Sequence, residues 1–333
     1  MTIPRARRVV YARRVMKLAV LDDWQGVAEG LADWSRLPAG TEVRWFREPF
    51  RDAEAVVSAL APFDALVAMR ERTPFPAAVL ERLPCLRLLV TTGMRNASID
   101  LAACRRLGVV VCGTRGGPGV PAAELTWGLV LALAKRIPEE DRALRAGAFQ
   151  TALAAGLGGK TLGVVGLGKI GTVVARVGLA LGMEVVAWSP NLTEARAAAA
   201  GVRRVEKRAL LEAADVVTLH LVLAESTRGV VGAAELAMMK PTAWLVNTAR
   251  AGLVDEGALV VALRERRIAG AGLDVFSAEP LPPDHPLRQA PNTVLTPHLG
   301  YATRENFAVF YADAVEDVAA WARGTPVRRI DQG

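Results

Sequence analysis

The chain has 333 residues, 52% of them hydrophobic, three cysteines and a formal net charge of +7. That length is room for roughly two domains, and no apolar run reaches the roughly 18–20 residues of a membrane span. Cys85, Cys104 and Cys112 show no CxxC spacing, which argues against a zinc site or a disulfide framework and fits a reduced, cytoplasmic setting. The excess of positive charge belongs to the start of the chain, where Arg5, Arg7, Arg8, Arg13 and Arg14 stand with no acidic neighbour. Without these five the balance is +2, so nucleic acid is not an expected partner. Residues 1–15 read as a basic extension ahead of a strand that opens at Met16. It is an upstream start wrongly included, a disordered arm as the next reading, or a targeting segment.

From Met16 to about Val111, short apolar runs alternate with helical stretches. The runs are Lys17–Leu21, Val43–Phe46, Ala65–Met69, Leu86–Thr91 and Val109–Cys112. Ala53–Leu60, Pro76–Leu83 and Asp100–Leu107 are the helical candidates between them. Such alternation predicts βαβ units and a mostly parallel sheet. Ligands bind at the carboxyl ends of strands in such sheets. Arg70 follows one run, and Thr92-Gly93-Met94-Arg95-Asn96 follows another. The Gly/Pro-rich loop Gly113–Pro121 predicts a domain boundary, with Pro121 opening a helix over Ala122–Arg136. A further helix is predicted over Glu139–Gly147.

The stretch Lys160–Gly171 carries the strongest signal. An apolar strand, Leu162–Val165, runs into Gly166-Leu167-Gly168-Lys169-Ile170-Gly171, then a helical pattern over Thr172–Leu181 and a second strand over Met183–Trp188. Strand, glycine turn, helix, strand is the context of a dinucleotide fingerprint. Gly166 permits the tight turn, Gly168 the approach of a pyrophosphate, and Gly171 the packing of helix on strand. The helix N-terminus then turns unpaired N–H groups to the phosphates.

More βα units follow: strands at Val216–Leu221, Ala243–Val246, Leu273–Phe276 and Val294–Thr296, and helices at Ala233–Met239, Asp255–Arg267 and Arg304–Arg323. Only three histidines occur. His285 lies in a proline-bounded turn and reads as solvent-exposed or capping. His220 ends a strand and is placed to line a cofactor cleft. His298 follows the strand TVLTP, Arg250 follows AWLVNTA, and Glu279 follows GLDVF. All three therefore fall past strand ends of one sheet, on the cofactor side. The alternative is a turn histidine beside two surface charges. As a set they suit chemistry beside a nicotinamide. A guanidinium binds a carboxylate and polarises the neighbouring carbonyl. An imidazole exchanges a proton near neutral pH, and a carboxylate orients it and favours its charged form.

The segments VVGLGKIG, HLVLAESTRGVVGAAELAMMKPTAWLVNTARAGLVDEGAL, AGLDVFSAEPLP and NTVLTPHLGY, with TTGMRNASIDL and PAAELTWGLVLALAKR before them, resemble the D-isomer-specific 2-hydroxyacid dehydrogenase family. The resemblance runs in the family's order from Met16 to the final helix. It implies an α/β fold of two doubly wound parallel-sheet domains, a flavodoxin-like substrate domain and a Rossmann cofactor domain, with a cleft between them. The substrate domain is discontinuous, 16–117 plus 302–330, and the cofactor domain spans 118–301. The implied activity is hydride transfer between NAD(P)(H) and a small D-2-hydroxy or 2-oxo acid. His298 is then the acid/base, Glu279 its orienting partner, and Arg250 the group that binds the substrate carboxylate and carbonyl. Gly166, Gly168, Lys169, Ile170, Gly171, Ser189, His220, Thr248, Asp274 and Gly300 are the implied cofactor contacts. Gly93 and Met94, through their backbone, and Arg70 are those of the substrate. Arg70 and Arg95 serve a second anionic group or are surface charges. The Ala122–Arg136 region is implied to help build a homodimer. No metal and no membrane enter.

Three positions depart from the family pattern. Ser189 stands where an acidic residue usually takes the ribose hydroxyls. No arginine follows it at once, Arg196 lying further along, so NAD and NADP both remain open. Val222 replaces a common proline after His220, and Ala251 a common glycine after Arg250. Formate dehydrogenases, which share the fold, pair the histidine with glutamine, so Glu279 favours a hydroxy/oxo acid couple. The chain ends soon after its last helix, without the C-terminal regulatory domain that phosphoglycerate dehydrogenases often carry. Phosphoglycerate, glyoxylate, hydroxypyruvate and bulkier acids all stay open as substrates. The competing reading is an NAD(H)-sensing, corepressor-like binding protein on the same fold.

Overall fold

A computed structural model gives the fold and describes residues 15–117 and 119–331. The basic extension predicted over residues 1–15 lies, apart from Val15, outside the described residues. The chain forms two compact units, one from the chain up to Pro118 together with Thr303–Gly333, the other from Gly119–Ala302.

In the first unit the apolar runs become β1 (Lys17–Val20), β2 (Glu42–Trp45), β3 (Ala65–Ala68), β4 (Leu88–Thr91) and β5 (Val110–Gly113). They pair in parallel in the order β2-β1-β3-β4-β5, which is the flavodoxin-like winding. Every residue of β3 and β4 is buried, as strands covered on both faces require. Edge strand β2 alternates exposed and half-buried residues instead. Helices Ala53–Leu60 and Leu101–Leu107 start where Asp52 and Asp100 accept the backbone N–H of Ala55 and Ala103, each at 2.8 Å. The final helix, Arg304–Ala322, returns to this unit and buries Phe307, Phe310 and Tyr311.

The second unit holds β6 (Thr161–Val165), β7 (Glu184–Trp188), β8 (Arg203–Arg204), β9 (Val216–Leu219), β10 (Trp244–Asn247), β11 (Gly270–Leu273) and β12 (Thr293–Leu295). All pair in parallel in the order β12-β11-β10-β9-β6-β7-β8. The winding reverses between β6 and β9, and a Rossmann sheet binds its dinucleotide at that crevice. Side chains leave β6 alternately. Leu162 and Val164 join Trp127, Leu129 and Val174 on one face, and Val165 joins Leu210, Leu236 and Leu259 on the other.

Two local expectations are corrected. The strand predicted over Leu273–Phe276 lies at Gly270–Leu273. Its residues are small because neighbours press on them: a Cβ on Gly272 would meet Leu129 Cβ at 3.0 Å, and one on Gly270 would meet the Asn292 carbonyl at 2.3 Å. Strand β8 and the helix Lys207–Ala213 were not among the predicted elements. That helix covers β6, where Leu210 Cδ2 comes within 2.5 Å of a Cβ built on Gly163.

A Cβ on Gly171 would lie 2.1 Å from the Gly166 carbonyl oxygen, whereas a Cβ on Gly168 would meet nothing within 4 Å. Gly171→Ala is therefore expected to cost about 1–3 kcal/mol, the usual range for forced overpacking. Gly168→Ala should stay within about 1 kcal/mol of the parent. Denaturant titration of both variants against the parent checks the contrast.

Candidate active site

The glycine turn sits at the switch point and is shaped by backbone contacts. Gly166 has φ +106°, and a Cβ there would come within 2.7 Å of the His220 carbonyl carbon and the Leu221 nitrogen. No side chain fits, so the chain turns tightly over the end of β9. The helix Lys169–Ala180 begins behind it with no side-chain cap and no acidic residue in its first turn. Its first N–H groups thus face the open space above Gly168, a cradle for an anion. Lys169 and Ile170 form the helix's first positions, and Gly171 lies against Gly166. These residues fit the pyrophosphate of a dinucleotide.

Around the turn, Ser189 follows β7, and its Oγ accepts the Leu167 N–H at 3.0 Å. His220 follows β9 and is half-buried. Its Nε2 is out of water and has no hydrogen-bond partner among the described residues, and burial pushes its pKa down to about 3. His285, expected to be exposed or capping, caps: its Nδ1 accepts the Leu287 N–H at 3.3 Å. It is half-buried rather than exposed, with Nε2 3.0 Å from Glu256 Oε1.

Arg250, Glu279 and His298 follow β10, β11 and β12, three adjacent parallel strands. Their carboxyl ends form one edge, so side chains far apart in sequence emerge side by side. His298 Nδ1 lies 2.6 Å from Glu279 Oε2, and Glu279 Oε1 accepts the Phe276 N–H at 2.9 Å. The ring also meets Tyr301 edge-on, centroids 5.3 Å apart. Arg250 is set by Asn247, which the sequence reading missed. Asn247 Nδ2 donates to the Arg250 carbonyl at 2.9 Å, and its Oδ1 accepts the Ala249 N–H at 3.0 Å. The signal was present, since an asparagine two or three residues before a turn commonly bonds to its backbone.

His298 has φ +54°, a left-handed backbone uncommon outside glycine. Asp274 holds that conformation. Its Oδ1 accepts from Thr296 Oγ1 at 2.6 Å and Leu299 N at 2.7 Å, and its Oδ2 from Gly300 N at 2.8 Å. Burial raises the Asp274 pKa, and the three donors act against that rise. Asp274 and Gly300, expected at the cofactor, thus first build the loop that carries the histidine. Thr248 is likewise engaged, its Oγ1 lying 2.7 Å from Thr126 Oγ1.

In the first unit, Arg70, Gly93 and Met94 come together at the carboxyl ends of β3 and β4. Arg70 N donates to Thr92 Oγ1 at 2.9 Å, and a Cβ on Gly93 would lie 2.0 Å from the Arg70 guanidinium. The Gly93 N–H is engaged by Thr114 Oγ1 at 2.9 Å. The Met94 side chain is exposed.

An open glycine elbow at the switch point of a Rossmann sheet, with an imidazole–carboxylate pair along the same edge, defines a dinucleotide-dependent α/β unit. A family model described as "D-isomer specific 2-hydroxyacid dehydrogenase, NAD binding domain" matches residues 127–300. The chain is 40% identical over 255 residues to the glyoxylate reductase of Aeropyrum pernix, covering 74% of this chain and 76% of that one. It is 36% identical over 277 residues to the D-3-phosphoglycerate dehydrogenase of Archaeoglobus fulgidus, covering 83% of this chain and 52% of that one. It thus spans about half the length of that relative. The crystal structure of phosphoglycerate oxidoreductase from Vibrio cholerae superposes with a TM-score of 0.88 at 37% identity, covering 93% of this chain and all of that one. The chain belongs to the D-isomer-specific 2-hydroxyacid dehydrogenase family.

Among the described residues no group of three or more metal-ligating side chains is gathered, and no helix is long and apolar enough to cross a membrane.

The depressed pKa of His220 has a signed consequence. Below about pH 6.5 the unfolded chain takes up a proton on this histidine that the folded chain refuses until about pH 3. Stability supplied by the neutral ring is present above pH 6.5 and is lost as pH falls through that window. His220→Asn removes the titration. Stability measured from pH 7 to pH 4 is therefore expected to fall less steeply in the variant than in the parent.

Proposed function

We propose that the protein reversibly reduces a small 2-oxo acid to the D-2-hydroxy acid with a nicotinamide dinucleotide. The observation that carries this reading is the His298–Glu279 pair at 2.6 Å, on the strand-end edge that also presents Arg250. When bound, the coenzyme supplies or accepts the hydride. The chain's own residues do the rest. The Arg250 guanidinium, charged at any working pH, holds the substrate carboxylate and draws electron density from the adjacent carbonyl. His298 gives a proton to the carbonyl oxygen during reduction and recovers it during oxidation. Nε2 is the atom that does so, because Nδ1 faces Glu279. Glu279, itself tethered to the Phe276 N–H, fixes the orientation of the ring. A carboxylate here, rather than a neutral amide, suits a reaction in which a proton moves with the hydride.

The functional unit is proposed to be a homodimer. The helix Pro121–Lys135 buries Trp127, Leu129, Val130 and Leu133 within its own unit. The segment after it instead exposes Ile137 (54%), Leu144 (61%), Phe149 (79%) and Leu153 (97%). Apolar side chains this exposed in one short segment mark an association surface, and a second copy is the proposed occupant. Sedimentation is expected to show a dimer in the parent and a monomer when Phe149 and Leu153 are both changed to glutamate.

The reaction is tested by following NADH and NADPH absorbance with glyoxylate, hydroxypyruvate, 3-phosphohydroxypyruvate and longer 2-oxo acids. Turnover with at least one is expected. Failure with all of them, by protein shown calorimetrically to bind coenzyme, overturns the proposal. His298→Gln should lower kcat by about 10²–10⁴-fold, the usual worth of a general acid–base group, while coenzyme affinity stays unchanged.

A further inference from the structure

The proposed chemistry uses the strand ends from β6 to β12 and leaves the other side of the switch point, the end of β7, without a role. We propose that Ser189 and Arg196 form a recognition site for a 2′-phosphate, so that the protein takes NADP(H) in preference to NAD(H). This rests on the dinucleotide reading above and adds the choice between its two coenzymes.

Position decides what Ser189 meets. It is the first residue after β7, which pairs with β6 on the side away from β9. In a Rossmann unit that strand end faces the adenosine ribose. A carboxylate there accepts both ribose hydroxyls and repels a phosphate on one of them. Here the side chain is neutral. Its Oγ already accepts the Leu167 N–H at 3.0 Å. That bond fixes the hydroxyl against the glycine turn and leaves its own proton to be donated to an incoming oxygen.

Arg196 is seven residues on in the sequence, yet it folds back to the same place. Its Nη2 lies 3.3 Å from the Leu167 carbonyl and its Nη1 3.4 Å from the Asn191 carbonyl. Leu167 therefore has Ser189 on its N–H and Arg196 on its carbonyl. Both of the guanidinium's acceptors are neutral and both contacts are long, so its charge is not compensated by them. An arginine presents five N–H donors, of which these contacts use two.

The nearby carboxylates are directed elsewhere. From Ser189 to Glu206 the segment carries Arg196, Arg203 and Arg204 against Glu194 and Glu206. Arg204 gathers both acids, lying 3.3 Å from Glu194 and 3.0 Å from Glu206, while its Nε donates to the Leu192 carbonyl at 2.9 Å. A hydroxyl donor and a charged fork thus flank the glycine turn at the ribose position, with the acids of the segment tied to another arginine. Charge-assisted bonds from a guanidinium suit a dianionic phosphate and give nothing comparable to a ribose hydroxyl.

The test is calorimetric titration of the full chain with NADPH, NADH and adenosine 2′,5′-bisphosphate, independent of turnover. NADPH is expected to bind about tenfold or more tightly than NADH, a modest yield for one charged fork. Arg196→Ala should weaken NADPH and the bisphosphate by about tenfold, with NADH held within about twofold; that unchanged NADH affinity also shows that the variant folds. Ser189→Asp should reverse the preference. Equal affinities in the parent, tighter NADH, or an Arg196→Ala change shared by both coenzymes would overturn the inference while leaving the dinucleotide reading intact. If neither coenzyme binds, the dinucleotide reading fails and this inference with it.

Discussion

Backbone touches backbone at the end of β6, and the second unit is arranged around that contact. The Gly166 carbonyl would lie 2.1 Å from a Cβ on Gly171, and Gly166 itself rests on the backbone of His220 and Leu221. Two separate requirements, a turn with φ +106° and a helix seated against the strand it has just left, are met only by residues without side chains. Once they are met, the uncapped helix N-terminus and the open space above Gly168 follow. The parallel sheet then fixes where everything else emerges. The side chains past β10, β11 and β12 are placed by strand order and not by proximity in sequence.

Sheet order alone does not hold a side chain still. The loop after β12 must carry His298 in a left-handed backbone, a conformation that is sparsely populated and persists only where its surroundings over-determine it. Asp274 supplies that constraint from β11 with three accepted hydrogen bonds. Asn247 supplies its counterpart at β10, tying both ends of the turn that presents Arg250. Glu279 is held in turn by the Phe276 N–H. Arg250, Glu279 and His298, or the loops that bear them, are thus each anchored by a neighbour on the same edge.

Much of this was legible in the sequence. Alternating apolar runs marked the parallel strands. The glycine spacing marked the elbow. The placement of Arg250, Glu279 and His298 past strand ends was legible because each follows a β-rich run at a short, countable distance. What escaped detection did so for physical reasons. Gly270–Leu273 looks like a turn by composition, but its small residues answer the pressure of Leu129 and Asn292, which only the fold reveals. Strand β8 is two arginines long and carries no apolar period to detect. The anchoring role of Asp274 depends on Thr296, Leu299 and Gly300, more than twenty residues away in sequence.

Arg196 shows the same limit at a site that was read only in part. In sequence it stands too far from Ser189 to be counted with it. In space the intervening residues form a turn, Leu192 N–H to the Ser189 carbonyl at 3.1 Å, then Thr193 Oγ1 accepting the Arg196 N–H at 3.3 Å. That turn brings the guanidinium back to Leu167. The departures from the family pattern at Ser189, Val222 and Ala251 all fall past strand ends, while the strands beneath keep their parallel register. Loops can change side chains without disturbing a buried core. The sheet of this protein therefore sets where side chains past its strand ends emerge, and the segments after the strands decide which side chains those are.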